Sequence, residues 1–175
     1  KTEWFQIDVA KSLEYFMQFA LCKDEPTQQG STYELRQEQQ DAVAKTKAYF
    51  EKGGTEFLWN AKPRFGKTLT CYDLIRQMGF QKVLIVTNRP AIANSWAEDF
   101  NKFIGWRGKL RFVSDTDALK GKKGVYTREA YLDAESRLPE GKSHGMVAFE
   151  SLQGLKGSVY FGGNYQKLEW MAKSY

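Results

Sequence analysis

The sequence predicts an α/β fold with a mainly parallel sheet and helices on both faces, preceded by a helical appendage. First, β-favouring runs and runs with helical spacing alternate along most of the chain. Second, KVLIVT, residues 82–87, is almost continuously apolar, as expected for a central parallel strand covered on both faces. Third, the 175 residues, 42% of them hydrophobic, suffice to bury one domain core.

The first 30 residues are interpreted as an appendage to that domain. Apolar residues between Val9 and Leu21 recur three and four positions apart, which predicts an amphipathic helix. The stretch that follows contains Pro26, Gly30 and small polar residues, and this composition is typical of a linker. We therefore expect a helical appendage and linker over residues 1–30 and the main domain over residues 31–175.

The main domain begins with a predicted helix, strand, loop and helix. Residues 35–51 have helix-compatible spacing and end before two glycines. TEFLW, residues 55–59, is a short β-favouring run that leads into the loop. Residues 67–78 return to helical spacing, with Gly79 as a C-terminal cap.

The same order of elements continues after the strand over residues 82–87. Parallel strands need such crossover helices, so the repeat favours a layered α/β domain. The remaining predicted elements are a helix over 91–103, strands over 110–114 and 146–152, a less regular stretch over 115–128, and a final helix over 164–175.

The amino-acid composition favours some functional classes of protein and excludes others. A formal net charge of +5 favours polyanionic partners without requiring them. Cys22 and Cys71 are far apart and outside any CxxC pair, so neither a disulfide framework nor a zinc cluster is predicted. His144, the only histidine, is interpreted as an exposed loop residue. Because no run is long and apolar enough for a membrane span or a secretion signal, a cytoplasmic protein is expected.

The stretch AKPRFGKT has the pattern of a phosphate-binding loop. An alanine is followed by four residues and then by Gly-Lys-Thr, between a predicted strand and a predicted helix. Such a loop turns backbone N–H groups toward phosphate oxygens, and the positive end of the following helix faces the same point. The predicted nucleotide-binding residues of this loop are Ala61, Lys62, Pro63, Arg64, Phe65, Gly66, Lys67 and Thr68.

Within the loop, three residues have distinct expected roles. Gly66 lets the backbone approach the anion, and Lys67 reaches the β- and γ-phosphates. The Thr68 hydroxyl ligates Mg²⁺. Lys67 and Thr68 are therefore the predicted catalytic residues, with ATP and Mg²⁺ as cofactors.

Upstream of the loop, Arg36 and Gln39 are predicted to contribute to adenine binding. A glutamine amide can donate and accept together, and this pairing distinguishes adenine from guanine. Tyr33 is positioned in the sequence to stack on the base. The alternative interpretation of this segment is an exposed polar helix start.

Four segments together resemble a known family. LRQEQQ, AKPRFGKT, VLIVTNRPAIANSW and MVAFESLQ follow one another in the order and rough spacing of the superfamily 2 helicases. The resemblance is strongest to the motor subunits of type I and type III restriction enzymes, and it covers about residues 33–175. It implies the first RecA-like domain of an ATP-dependent DNA helicase or translocase. The implied partners are DNA, the remainder of a parent polypeptide with a second RecA-like domain, and nuclease or methylation subunits.

The same resemblance implies contacts to a nucleic-acid strand. The implied contact residues lie after two predicted strands and are Thr87, Asn88, Arg89, Ser151 and Gln153. Their positive charge and neutral hydrogen-bonding groups suit a sugar-phosphate backbone. The alternative is that they are ordinary polar loop residues. Trp96, in contrast, is interpreted as a packing residue of the following helix.

The acidic Mg²⁺-binding pair of the family is not found after a predicted strand. The Asp24-Glu25 dipeptide lies in the linker, before the phosphate loop. The resemblance implies that the pair would begin beyond Tyr175, and that the arginine finger belongs to the second domain. We therefore expect this chain alone to bind ATP weakly and not to hydrolyse it.

Two other functions remain open from the sequence. A small-molecule kinase could use the same loop, although Arg128 and Arg137 are isolated and do not form an arginine-rich lid. A non-catalytic nucleic-acid-binding module could use the aromatic residues, which are 15% of the chain, to stack on bases. Many of those aromatic residues occupy predicted core positions, which disfavours the second alternative.

Overall fold

The computed structural model describes residues 33–159 and 162–173, which form a parallel sheet between two layers of helices. The helices are α1 (Gln37–Glu51), α2 (Lys67–Met78), α3 (Ala93–Phe103), α4 (Arg128–Ser136), α5 (Leu152–Leu155) and α6 (Glu169–Lys173). The strands are β1 (Lys82–Thr87), β2 (Leu110–Val113), β3 (Val125–Tyr126) and β4 (Gly145–Ser151). Single 3₁₀ turns cover Pro90–Ile92, Gly105–Arg107 and Asp117–Leu119.

The four strands are parallel and lie in the order β1-β4-β2-β3. The register pairs Lys82 with Met146 at one end of β1 and Thr87 with Ser151 at the other. The carboxyl ends of β1 and β4 therefore meet at one edge of the sheet. Ligands of open α/β sheets bind at this edge.

Strand β4 is buried on both faces, and alternate side chains enter two different cores. Val147 and Phe149 belong to the core formed with α2 and α3, whereas Met146 and Ala148 belong to the core formed with α4 and α6. The helical residues of the first core include Tyr72, Ile75, Ala93, Ala97 and Phe100. Those of the second are Tyr131 and Trp170. The predicted α/β fold with helices on both faces is confirmed.

Several predicted elements are observed with their expected bounds. α2 and β1 coincide with the predicted segments, and α1 begins two residues later than predicted. The prediction that residues 82–87 form a central strand covered on both faces is wrong for the described residues. β1 pairs only with β4 and lies at the edge of the sheet, so Leu84 and Val86 remain 36% and 42% exposed. The predicted helix over 91–103 begins as a 3₁₀ turn with Pro90 at its first position, which suits a residue without an N–H donor. Trp96 contacts Tyr72 and Phe149 ring to ring, at centroid distances of 5.5 and 6.4 Å, so its packing role is confirmed.

The predicted strand over residues 55–59 is wrong. This segment pairs with no strand among the described residues, and its Leu58 is 90% exposed. β-favouring side chains do not make a strand unless a neighbouring strand supplies hydrogen bonds. The segment is held instead by the Trp59 indole, whose Nε1 donates to Thr46 Oγ1 on α1 at 2.7 Å.

The second half of the chain differs from its prediction in three places. The predicted final helix over 164–175 is wrong for its first part, because Tyr165 forms a bridge with Ser158 and the described helix begins at Glu169. β3 and α4 were not predicted. α4 has a sequence signal, since the Thr127 hydroxyl accepts the Ala130 N–H as an N-cap at 3.1 Å.

The predicted appendage and linker, residues 1–30, lie outside the described residues. Within the described ranges, each helix is too short or too polar to span a bilayer.

Candidate functional site

The predicted phosphate loop lies at the same edge of the sheet as the carboxyl ends of β1 and β4. α2 begins at Lys67, directly after the loop, and three residues separate its end from the start of β1. A 12-residue helix and a six-residue strand have similar lengths, roughly 18 and 20 Å. Because α2 runs antiparallel to β1, its N-terminus is level with the end of that strand.

The loop is a tight turn followed by a left-handed glycine. The Phe65 N–H donates to the Lys62 carbonyl at 3.3 Å, and Pro63 and Arg64 occupy the two central positions. Arg64 has φ +63° and Gly66 has φ +85°. Proline second and a positive φ third are the features of a type II turn. The N-terminus of α2 follows this turn directly.

Two side chains from the start of α1 hold the carbonyl groups of the loop. The Arg36 guanidinium donates to Phe65 O at 2.6 Å and to Arg64 O at 3.2 Å. The Gln39 amide Nε2 also donates to Phe65 O, at 2.7 Å. Arg36 and Gln39 thus brace the loop.

Gln39 is 1% exposed, and both ends of its amide have partners. Its Oε1 accepts the Arg36 backbone N–H at 2.9 Å, which closes a capping box at the start of α1. Tyr33, predicted to stack on a base, instead contacts the Phe103 ring edge to face at 5.6 Å. Adenine recognition by Arg36 and Gln39 stays a prediction, and the observed geometry gives both residues a structural role behind the loop.

Glycine at position 66 is required by its surroundings as well as by its backbone. A Cβ atom built there would lie 2.5 Å from Gln39 Nε2. The positive φ adds strain for any residue with a Cβ. The Gly66 carbonyl accepts the Thr70 N–H at 3.1 Å and the Thr70 hydroxyl at 3.0 Å, which fixes the first turn of α2.

Lys67 and Thr68 lie in the first turn of α2, and their contacts to phosphate and Mg²⁺ stay predictions. The Lys67 ammonium is exposed and donates to the Lys62 carbonyl at 3.2 Å. First-turn N–H groups have no partner within their helix, so they can face an anion. Within residues 33–159 and 162–173, no three acidic, cysteine or histidine side chains are grouped to hold a metal ion.

The predicted strand-contacting residues are brought together at the carboxyl edge of the sheet. Thr87 and Ser151 are direct partners in the register of β1 and β4. Gln153 Nε2 approaches the Asn88 carbonyl at 3.5 Å, which connects the two loops. Arg89 is exposed, and its backbone N–H donates to Thr87 Oγ1 at 3.1 Å. Asn88, Arg89 and Gln153 are exposed and Thr87 is partly exposed, whereas Ser151 is only 8% exposed. The five residues together are called the strand-end surface below.

A lysine that the sequence reading missed holds one of these loops. The Lys167 ammonium donates to Gly154 O at 2.7 Å and to Lys156 O at 2.6 Å, at the end of α5. The Ser151 hydroxyl accepts the Gly154 N–H at 2.9 Å, so the same short loop is fixed at both ends. A lysine outside any recognised motif gives no signal for this role in a single sequence.

Behind the strand-end surface lies a half-buried charged cluster. Burial raises the pKa of Glu150, and the nearby Arg128 guanidinium, 3.7 Å away, partly opposes this shift. Arg128 also lies 3.4 Å from Asp115 and over the Trp170 ring at 5.1 Å. Because Arg128 offsets these carboxylates, the edge is less repulsive to a phosphate than its acidic residues alone suggest.

His144 is not the exposed loop residue that the sequence indicated. Its Nδ1 lies 3.0 Å from Glu135 Oε1, and its Nε2 lies 3.4 Å from an Arg111 nitrogen. The Tyr131 hydroxyl donates to the His144 carbonyl at 2.8 Å. This network precedes β4 at the amino edge of the sheet, opposite the phosphate loop. It ties α4 to the sheet and has no contact with the candidate site.

A known protein family matches the part of the chain that contains the candidate site. The model of the family described as "Type III restriction enzyme, res subunit" matches residues 32–160, more than half of the chain. That range includes the phosphate loop, its brace and the strand-end surface.

One curated relative is similar over a shorter range. A Mycoplasma pneumoniae protein, named as the C-terminus of a putative type II restriction enzyme and methyltransferase, is 31% identical over 114 residues. The match covers 64% of this chain and 15% of the relative. The chain therefore corresponds to a small part of that protein. No solved structure matches.

Proposed function

From the premise that this chain belongs to the type III restriction enzyme res subunit family, we propose that it is the ATP-binding part of an ATP-dependent DNA helicase or translocase. The family places it with helicase-like parts of restriction systems. The specific activity, nucleotide-driven movement along DNA, is the proposal.

The observation that carries this proposal is the position of two sites at one edge of the sheet. The phosphate loop and the N-terminus of α2 lie at this edge, and β1 and β4 end there with the strand-end surface. A motor must couple a change at the nucleotide to a change at the nucleic acid. Because both sites lie at this edge, a change at the phosphate loop has only a short distance to travel to the strand-end surface.

The loop fits a nucleoside triphosphate with Mg²⁺. Gly66 lets Gln39 pack against the loop, Lys67 supplies an exposed cation, and the start of α2 supplies N–H groups. Thr68 is the hydroxyl that would ligate Mg²⁺. Bound ATP supplies the phosphoanhydride bond whose hydrolysis drives the movement. The carboxylates that assist hydrolysis belong, in this proposal, to the parent polypeptide.

The strand-end surface fits a nucleic-acid backbone. Arg89 supplies an exposed positive charge, and the exposed Asn88 and Gln153 supply neutral hydrogen-bonding groups. The Ser151 side chain is buried and caps α5, so it would position Gln153. Such groups hold phosphate and sugar without distinguishing bases. A motor that moves along any sequence needs contacts of this kind.

The parent polypeptide and other restriction subunits are the proposed partners. The chain spans 15% of the length of its Mycoplasma pneumoniae relative, whose name combines restriction and methyltransferase activities. We infer that this domain works beside a second RecA-like domain and beside nuclease or methylation units. The family match disfavours a small-molecule kinase and a non-catalytic binding module, the two alternatives left by the sequence.

The test is ATP hydrolysis by the parent polypeptide with and without DNA. We expect DNA to stimulate hydrolysis, and we expect Arg89→Ala and Gln153→Ala to raise the DNA concentration needed for half-maximal stimulation. Arg89→Ala removes a cationic phosphate contact and should also make the salt dependence of DNA binding shallower, by about one unit in the log–log slope, whereas Gln153→Ala removes a neutral group and should leave the slope unchanged. Hydrolysis without DNA should be unchanged in both variants.

A matched control is Arg107→Ala, which removes an exposed cation near the amino end of β2. It should leave the DNA dependence as in the wild type. Hydrolysis that is indifferent to DNA, or phosphate transfer to a small acceptor instead of water, would contradict the proposal.

A further inference from the structure

Gln153, one of the exposed residues of the strand-end surface, lies on the single-turn helix α5. A helix of one turn forms too few internal hydrogen bonds to be stable alone. The same stretch contains Gly154 and Gly157, and glycine loses more backbone freedom on folding than any other residue. The position of the Gln153 side chain therefore depends on contacts from outside the helix.

Lys167 supplies such contacts at the end of α5. The last carbonyl groups of a helix have no partner within it. The Lys167 ammonium donates to two carbonyl oxygens there, Gly154 O at 2.7 Å and Lys156 O at 2.6 Å. At the start of the helix, the Ser151 hydroxyl accepts the Gly154 N–H at 2.9 Å. Gln153 is therefore held between a serine cap and a lysine.

The backbone that carries Lys167 is itself fixed to the loop after α5. Tyr165 forms a bridge with Ser158. The Tyr165 N–H donates to Gly157 O and the Tyr165 carbonyl accepts the Val159 N–H, both at 3.0 Å. The Lys167 N–H donates to the same Tyr165 carbonyl, also at 3.0 Å. These bonds restrict the positions that the Lys167 side chain can reach.

The positive charge of Lys167 faces groups of the protein. An ammonium has three N–H donors, and the carbonyls at the end of α5 use two of them. The ammonium also lies 5.9 Å from the centre of the Tyr165 ring. A direct phosphate contact would require the ammonium to give up these partners. The contacts therefore indicate that Lys167 orders the loop and leaves phosphate binding to other residues.

We propose that Lys167 is a positioning residue of the strand-end surface and that it holds Gln153 in place to contact the backbone of a nucleic-acid strand. Lys167 lies beyond residues 32–160, the range that the family model matches. A side chain whose position is fixed before binding loses less conformational freedom when the strand binds. This inference rests on the proposed function and adds to it a residue that acts through Gln153.

The test measures ATP hydrolysis by the parent polypeptide as the DNA concentration is varied. Lys167→Met removes both hydrogen bonds to the α5 carbonyls. It should raise the DNA concentration for half-maximal stimulation by about fivefold and leave the maximal rate unchanged, because the loop must then be ordered on binding. Lys167→Arg can still donate to both carbonyls and should restore most of the affinity. Lys142→Met, at an exposed position before β4, is the control and should respond to DNA as the wild type does.

A double-mutant cycle shows whether Lys167 acts through Gln153. The variant that combines Gln153→Ala with Lys167→Met should bind DNA as weakly as Gln153→Ala alone. Additive losses would overturn the inference, and so would a maximal rate that falls together with the affinity. A salt dependence of DNA binding that becomes shallower by about one unit in Lys167→Met would also overturn it, because Lys167 would then be a phosphate contact itself.

Urea denaturation of each variant separates positioning from a loss of the fold. If Lys167→Met unfolds at a lower urea concentration than the wild type, Lys167→Gln, which keeps an amide donor, takes its place in the cycle. Hydrolysis by the wild type that does not respond to DNA would mean that the proposed function fails. If DNA stimulates hydrolysis equally in the wild type and in the Lys167 variants, only the role of Lys167 fails.

Discussion

The sequence predicted the roles of only some residues of the candidate site. The loop pattern predicted Gly66 and Lys67, because such patterns depend on short spacing. It did not show that Gln39 is buried behind the loop and donates to the Phe65 carbonyl, because these two residues are 26 positions apart in the sequence. For the same reason Lys167 and Arg128 were missed as supports of the strand-end surface. Long-range hydrogen bonds leave no periodic signal in one sequence.

For single residues, the buried charge of Glu150 predicts how the free energy of unfolding depends on pH. Burial raises the pKa of Glu150 in the folded chain above its unfolded value. A group with a raised folded pKa favours the fold below its unfolded pKa, and this contribution is lost as pH rises through the folded pKa. Glu150→Gln should therefore have a higher free energy of unfolding than the wild type at pH 7. The difference should shrink as pH falls toward 4, measured by urea denaturation.

Arg128 keeps Asp115 as a partner in this variant, so no cation is left without a carboxylate. The control is Glu140→Gln, at an exposed position, which should change stability little at either pH. A Glu150→Gln variant that is less stable at pH 7 would show that the attraction to Arg128 exceeds the cost of burial.

At the scale of elements, helices were predicted better than the less regular connections. α2 and β1 have local signals along their whole length, namely periodic or continuous apolar residues and a terminal glycine. β3 has two residues, too few for any pattern. The segment 55–59 has a β-favouring composition but lacks a neighbouring strand in the described structure. Its position depends on Trp59 and Thr46, which are distant in sequence.

We predict that the hydrogen bond between Trp59 and Thr46 fixes the segment that leads into the phosphate loop. Trp59→Phe removes the indole N–H that donates to Thr46 Oγ1 and should lower the free energy of unfolding by about 1 kcal/mol. Mg·ATP affinity should also fall, because the chain leading into the loop loses its anchor on α1. Urea denaturation and ATP titration measure the two effects.

Thr46→Val completes a double-mutant cycle with Trp59→Phe. If the contact matters, the double variant should lose less stability than the sum of the single losses. Strict additivity of the two losses would show that the indole and the hydroxyl act independently, and the anchor would be refuted.

For the whole molecule, the fold class followed from the alternation of strands and helices, and the sheet order did not. The order β1-β4-β2-β3 places β4 between strands that precede it in the chain, and only long-range packing decides such an order. This order shapes the candidate site, because β4 carries Ser151 to the end of β1 beside Thr87. The sequence predicted both residues at strand ends, and the sheet order makes them neighbours.

The central claim is that residues 61–68 bind the phosphates of a nucleotide, and equilibrium binding of Mg·ATP tests it most directly. Lys67→Ala should weaken binding by about tenfold or more, since a cation that contacts phosphate is lost. Lys45→Ala, at an exposed position on α1, should bind as the wild type does. Equal ATP affinity in the wild type and Lys67→Ala, with both proteins folded, would contradict the account.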